Sequence, residues 1–254
     1  MNSIGVIALN TFLENLRDKI LYSLLLFAAL LIAASIFLGT LTIAEQDKIV
    51  TDMGLAAINL IGVIIAIFVG IGLVSKEIER RTIYTIMARP VSRTQFVLGK
   101  YAGLTVTLTV NIVVMFLVLL LTLWWIGAPI HPSLLQAVSL IFIELLVVTA
   151  LAMLFSTFSS ATVSASLTLG LFAVGHLTQD LKGIAEKSHN DMMTAIMTGI
   201  YYLCPNLELL NIKGPAAAGI SVSLTYQAWA TAYGLLYAGM LLAVACVIFQ
   251  RRDF

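Results

Sequence analysis

Long uncharged runs alternate along this chain with short charged clusters. The runs are too uniformly apolar for a surface helix and too long for a strand. A helix that crosses a bilayer needs about 20 mostly apolar residues, and six runs meet that length: residues 20–44, 53–75, 101–127, 133–158, 161–179 and 228–249. Charges bound the first two, at Lys19 and Glu45 and at Asp52 and Lys76. The third ends at Trp124 and Trp125, side chains suited to a membrane interface, before a GAPIHP turn whose two prolines break the helix. The small polar stretch STFSS, residues 156–160, supplies the turn between the fourth and fifth, and QRRDF closes the sixth. The pattern predicts one all-α polytopic membrane domain over residues 1–254, with six transmembrane helices.

Two further segments are not spans. Residues 4–18 place Ile4, Ile7, Ala8, Phe12 and Leu16 along one helical face and Asn10, Glu14, Arg17 and Asp18 on others. This is the pattern of an amphipathic helix lying at the membrane interface, here assigned to residues 1–19. Residues 180–227 form a long segment before the last span. It contains MMTAIMTGIYYLC, too short to cross, and then a Pro- and Gly-bearing stretch, which together predict a short outer helix or re-entrant hairpin. Within it LKGIAEKSHN reads as a polar loop.

Composition agrees: 60% of residues are hydrophobic and 11% charged. The net charge of +1 comes with no continuous basic face, which sets nucleic acid aside as a partner. The first apolar run is longer than the core of a signal peptide and lacks a clear small-residue cleavage site, so it is expected to be a retained span. Cys204 and Cys246 lack CxxC spacing, and with Cys204 outside and Cys246 in the last span they are not expected to pair. With the N-terminus inside, ten Lys and Arg residues are cytoplasmic and four, Lys48, Lys182, Lys187 and Lys213, lie outside. Both termini are then cytoplasmic. Residues 76–100 become the main cytoplasmic loop, with six of the fourteen Lys and Arg residues.

That loop carries Glu79, Thr82, an apolar helix, Arg89-Pro90-Val91-Ser92-Arg93 and Gly99-Lys100 at a span entrance. With LENLRDK ending the first helix, six spans, the long outer segment and the closing FQRRDF, this order resembles the permeases of type 2 ATP-binding-cassette (ABC) exporters over nearly the whole chain. One departure is Arg80-Arg81, where many relatives carry Gly before the Thr. The resemblance implies a half-transporter in the cell (inner or plasma) membrane. It would act as a homodimer or paired permease with two copies of a separate ABC ATPase, through residues 76–100 and the N-terminal helix. ATP would be bound on the ATPase, with no cofactor in this chain. The sequence lacks GxxxxGK[ST], since Gly99-Lys100 is followed by Tyr101.

Within the loop, Glu77, Glu79, Arg80 and Arg81 followed by Ile83, Ile86 and Met87 describe a short helix with a charged side and an apolar side. Pro90 then breaks it. Plain positive-inside retention needs no such shaped element, so these residues, with Thr82, Arg89 and Arg93, are assigned to ATPase coupling. Glu144 lies about 15 Å into the fourth span, near the midplane. It is read either as a polar site on the translocation path or a proton-linked step, or, preferentially, as a strut hydrogen-bonded to a Ser or Thr of a neighbouring span. His176 and Asp180, with Glu186, His189 and Asp191 following, sit in what reads as a solvated outer region; no metal or catalytic site is assigned. Gly62, Ala66 and Gly70 form a small-residue ridge suited to close helix packing. Two alternatives stay open. A secondary transporter would show repeated halves and several intramembrane charges, and a polytopic membrane enzyme would show a nucleophile beside a histidine. An outer-side accessory protein could contact 180–227, and the transported substrate is not encoded in any of these residues.

Overall fold

In the computed structural model the described residues are 3–40, 45–79, 92–187 and 191–251. Among them the chain is helical throughout, with no strand: α1 (Ser3–Leu16), α2 (Lys19–Thr40), α3 (Gln46–Glu79), α4 (Arg93–Ile126), α5 (Ser133–Ser156), α6 (Ala161–Lys187), α7 (Asp191–Leu203), a 3-10 turn (Glu208–Leu210), the short α8 (Lys213–Ala217) and α9 (Leu224–Arg251). Helices α2, α3, α4, α5, α6 and α9 are long and apolar enough to cross a bilayer, as the six runs predict.

The ends of the runs differ from the ends of the helices for a physical reason. Hydropathy marks where the hydrocarbon stops, whereas a helix can continue into water. Each of α3 and α4 has 34 residues, about 51 Å at 1.5 Å per residue against a hydrocarbon layer of about 30 Å. The uncharged run within α3 closes at Ser75 but the helix runs on to Glu79. Helix α4 begins at Arg93 because Ser92 and Gln95 form a capping box: the Ser92 hydroxyl accepts from the Gln95 N–H at 3.2 Å and the Gln95 side chain accepts from the Ser92 N–H at 3.1 Å. Its far end stops at Gly127, whose φ of 73° a side chain would disfavour, with the Ala128 N–H returning to Leu123 O at 2.9 Å.

Helix α5 is the axis of the bundle, most of its apolar length buried by α3, α4, α6, α8 and α9. The small-residue ridge of α3 is what lets α5 approach. A methyl added at Gly62 would stand 2.5 Å from Leu145, and one at Gly70 would stand 3.3 Å from Ala152. The stretch 181–187, read from sequence as a polar loop, is instead a continuation of α6. Leu181, Ala185, Glu186 and Lys187 are good helix formers, and Gly183 alone does not stop the helix. Helix α7 packs against α6, and the chain then returns between α5, α6 and α9.

Helix α1 is seated on α4 rather than lying free on the membrane. Gly99 and Gly103 form a second small-residue groove. A Cβ at Gly99 would meet Ile7 at 2.8 Å, and one at Gly103 would meet Ala8 O and Thr11 at 2.6 Å. The face of α1 with Ile4, Ile7 and Ala8 therefore turns to protein. With it go Thr11 and Asn15, both buried, the latter donating from Nδ2 to Thr107 Oγ1 at 3.1 Å. Val6, Leu9 and Leu13 stay exposed on one side and Asn10, Glu14 and Arg17 on another. Three faces, for protein, lipid and water, replace the two expected of a simple interfacial helix.

This seating predicts that Gly103→Leu destabilises the chain by about 1–3 kcal/mol through overpacking and exposes residues 3–16 to proteolysis. Gly5→Ala, where an added methyl meets nothing within 4 Å, should leave stability equal or raised by up to about 1 kcal/mol. Denaturant titration with limited proteolysis measures both.

Candidate functional site

Two clusters of functional side chains emerge from this packing. The first lies inside the bundle. Glu144 is fully buried on α5. One turn before Gly62, α3 places the buried Asn59 beside it, and Asn59 Nδ2 donates to Glu144 Oε2 at 2.9 Å. From the other side α6 brings His176, whose Nε2 stands 3.3 Å from Glu144 Oε1. The other ring nitrogen, Nδ1, is 3.2 Å from Phe172 O, and the imidazole rests against the Phe172 ring at 4.7 Å. The strut reading of Glu144 is therefore corrected in its partners: they are an Asn and a His on two different spans, not a Ser or Thr. His176, placed by the sequence in a solvated outer region, turns into the bundle. The side chains of Asp180, Glu186 and Asp191 lie outside the description, as does His189.

The returning segment roofs this cluster. Leu207 N–H donates to Gly175 O at 3.0 Å, next to His176 in the chain, and Asn206 N–H donates to the Tyr233 hydroxyl at 2.8 Å. Leu207 and Leu210 are fully buried, and Leu210 and Ile143 both pack at Gly234 of α9. Further along, the Gln136 amide of α5 bonds Val222 in both directions at 3.1 Å, and Ser133 donates to Ala216 O at 3.2 Å. Lys213 and Glu208 of this segment act on Glu144 with opposite charges. The segment, here called the plug, is thus folded back and held by backbone and side-chain bonds to α5, α6 and α9. Cys204 sits half-buried at its start, where burial raises its thiol pKa.

The second cluster is the entrance of α4, at the end of the bundle that also holds α1 and the C-terminus of α9. Arg93 Nη1 donates to the Phe249 and Gln250 carbonyls at 3.3 and 3.0 Å, satisfying groups that a helix end leaves open. Gln250 Nε2 donates to Thr94 Oγ1 at 2.7 Å, and Phe96 stacks on Phe249 with centroids 5.9 Å apart. One turn in, the buried Lys100 lies 3.7 Å from Glu14 of α1 and 5.8 Å above the Phe96 ring. One short stretch of α4 is thereby fixed to both the first and the last helix.

Of the residues assigned to coupling, Glu77 and Glu79 occupy the last turns of α3, continuous with the span rather than on a separate short helix, and Arg93 opens α4. Arg80, Arg81, Thr82, Ile83, Ile86, Met87, Arg89 and Pro90 lie outside the described residues. Sequence reasoning missed Asn59, His176 as a partner of Glu144, and the role of Gly103. The signals were a polar residue one turn before a small-residue ridge, and a GxxxG spacing hidden by the lysine between its glycines.

A family model described as ABC-2 family transporter protein matches residues 7–254. No curated protein matches the chain.

For the buried cluster, Glu144→Leu leaves the Asn59 amide without an acceptor in an apolar interior and is expected to cost about 1–3 kcal/mol. Glu144→Gln keeps an oxygen acceptor and should cost less than about 1 kcal/mol. Asn59→Leu combined with Glu144→Leu should be less destabilising than the sum of the two single changes, as a double-mutant cycle in denaturant will read.

Proposed function

The chain belongs to the ABC-2 transporter family, and from that premise we propose that this multi-pass permease is the membrane half of an ATP-driven exporter, worked by a separate ABC ATPase that grips residues 76–100. The observation that carries this reading is the clamp at the α4 entrance. Helices α3 and α4 continue past the hydrocarbon on the side where residues 76–100 connect them. Arg93, Phe96, Gly99, Lys100 and Gly103 then tie α4 to α9 and α1. A push delivered to that segment reaches the N-terminal helix, the third span and the last span as one body, because close-packed helices shift between discrete arrangements rather than deform. Lys and Arg bias puts this end in the cytoplasm, and both termini with it.

Pairing with a second permease is supported by α6. Helices α2 and α6 are equally uncovered, 22% of each window being buried, yet α6 is the less apolar of the two. Its uncovered residues include Thr162, Ser166 and Gly170 at four-residue spacing. Lipid suits α2; a second helix packed closely suits α6. In a homodimer, Gly170→Cys is expected to cross-link two copies under mild oxidation, whereas Leu236→Cys, exposed on α9, is not. Cross-linking through Leu236 alone would place the pairing elsewhere.

The coupling proposal is tested at its apolar anchors. Truncating an anchor at a desolvated interface costs on the order of 2 kcal/mol, about thirtyfold in affinity, whereas a rim charge costs less than about 1 kcal/mol. Ile83→Ala with Ile86→Ala should release the ATPase from the purified permease. Arg80→Ala should leave a complex that weakens further at high salt. A double variant that inserts normally and still co-purifies with full ATPase stoichiometry would transfer the main contact to α1.

A further inference from the structure

The buried cluster does more than fill space. His176 Nδ1 faces a backbone carbonyl, Phe172 O, which can only accept, so the ring proton of a neutral His176 resides on Nδ1. Nε2 then presents a lone pair to Glu144 Oε1 at 3.3 Å. Oε1 receives no other hydrogen bond among the described residues, while Oε2 is committed to Asn59. With neither group protonated, two lone pairs and a whole negative charge would oppose each other at a fully buried carboxylate, an unfavourable arrangement. One proton between Oε1 and Nε2 removes both penalties, whichever atom holds it.

The surroundings favour one proton rather than a second charge. Of the charged groups in the returning segment, Lys213 of α8 outweighs Glu208 of the 3-10 turn, and the burial of the carboxyl outweighs both. Helix α3 presents the neutral Asn59, α4 presents Tyr101, whose hydroxyl donates to Leu146 O at 3.1 Å, and α9 meets α5 at Gly234 over Ile143. The mechanical setting gives the proton a consequence. His176 follows Gly175, whose carbonyl carries Leu207 of the plug, and a Cβ on Gly175 would collide with Pro205 O and Leu207.

We propose that Glu144 and His176 form a binding site for a single proton, and that this proton pins the middle of α6, with the plug that hangs from it, to α5. It is a ligand site separate from the ATPase contact and does not depend on which partner drives the permease.

The test is the pH dependence of folding in the purified chain. The other two histidines, His131 and His189, are replaced by Asn so that His176 is the only imidazole. In the unfolded chain the separated groups titrate near about 4.3 and about 6.5. Above about pH 6.5 the folded chain therefore holds one proton more than the unfolded one, and stability falls as pH rises, by up to tenfold per pH unit in the folding equilibrium, until the folded pair lets go. Between about pH 5 and 6 both states hold one proton and the profile is level. Adding Glu144→Gln should abolish the fall between about pH 6.5 and 8, below the range in which thiols titrate, because the Gln amide can donate to Nε2 without a titrating proton. A level profile over that range before the change, or a fall there that survives it, overturns the proposal. Nitrogen NMR of the single remaining imidazole in the folded protein decides the matter if the Gln variant does not accumulate. A signal that moves well above pH 6.5 supports the shared proton, and one that titrates near about 6.5 like a free histidine overturns it.

Discussion

Everything in the middle of this bundle depends on how closely α3 can approach α5. In hydrocarbon, helices gain little from hiding apolar surface, since lipid is as apolar as leucine; contact distance and hydrogen bonds decide which pairs hold. Gly62 and Gly70 remove the side chains that would separate the two axes, and Leu145 and Ala152 fill the space that opens. Only at that separation can the short Asn59 side chain reach a carboxyl on α5. The same device recurs at Gly99 and Gly103, where α1 sinks onto α4, and at Gly234 and Gly175, where the plug meets α9 and α6. Glycine acts in each case by close approach; among the described residues only Gly127 and Gly219 supply a left-handed turn.

The six spans were legible because charge is so costly in a bilayer that its absence over about 20 residues is a direct signal. The extension of α3 to Glu79 and the true start of α4 were not, because a helix in water advertises itself through caps and propensity rather than hydropathy. Ser92 and Gln95 show that the cap at least could have been read. Glu144 stood out from sequence for its depth, but its partners did not. Nothing in the order of residues says which faces of α3 and α6 turn toward α5, and His176 looked like the neighbour of Asp180 because spacing along one helix is visible whereas adjacency between helices is not. Ile4, Ile7 and Ala8 were correctly seen as one face of α1, yet whether that face meets lipid or protein depends on a groove some 90 positions later.

The two clusters divide the molecule between them. At the α1 end, Arg93, Lys100 and the aromatic pair Phe96 and Phe249 bind three helices into a rigid collar. Toward the other end, a segment with little regular structure is folded back among the spans. Its backbone groups are tolerated there because Gly175, Tyr233, Gln136 and Ser133 satisfy several of them directly. A stiff end fastened by side chains and a folded-back end held by individual bonds are complementary properties in one chain.

The groove at Gly99 and Gly103 also sets an order of assembly. Helix α1 is synthesised before α2 and α3, but the surface it fits is created only when α4 has been made and inserted. Until then its buried Thr11 and Asn15 have no protein to meet, and the exposed Val6, Leu9 and Leu13 give it a way to wait at the membrane surface. The first helix described thus cannot dock until the third span is in place.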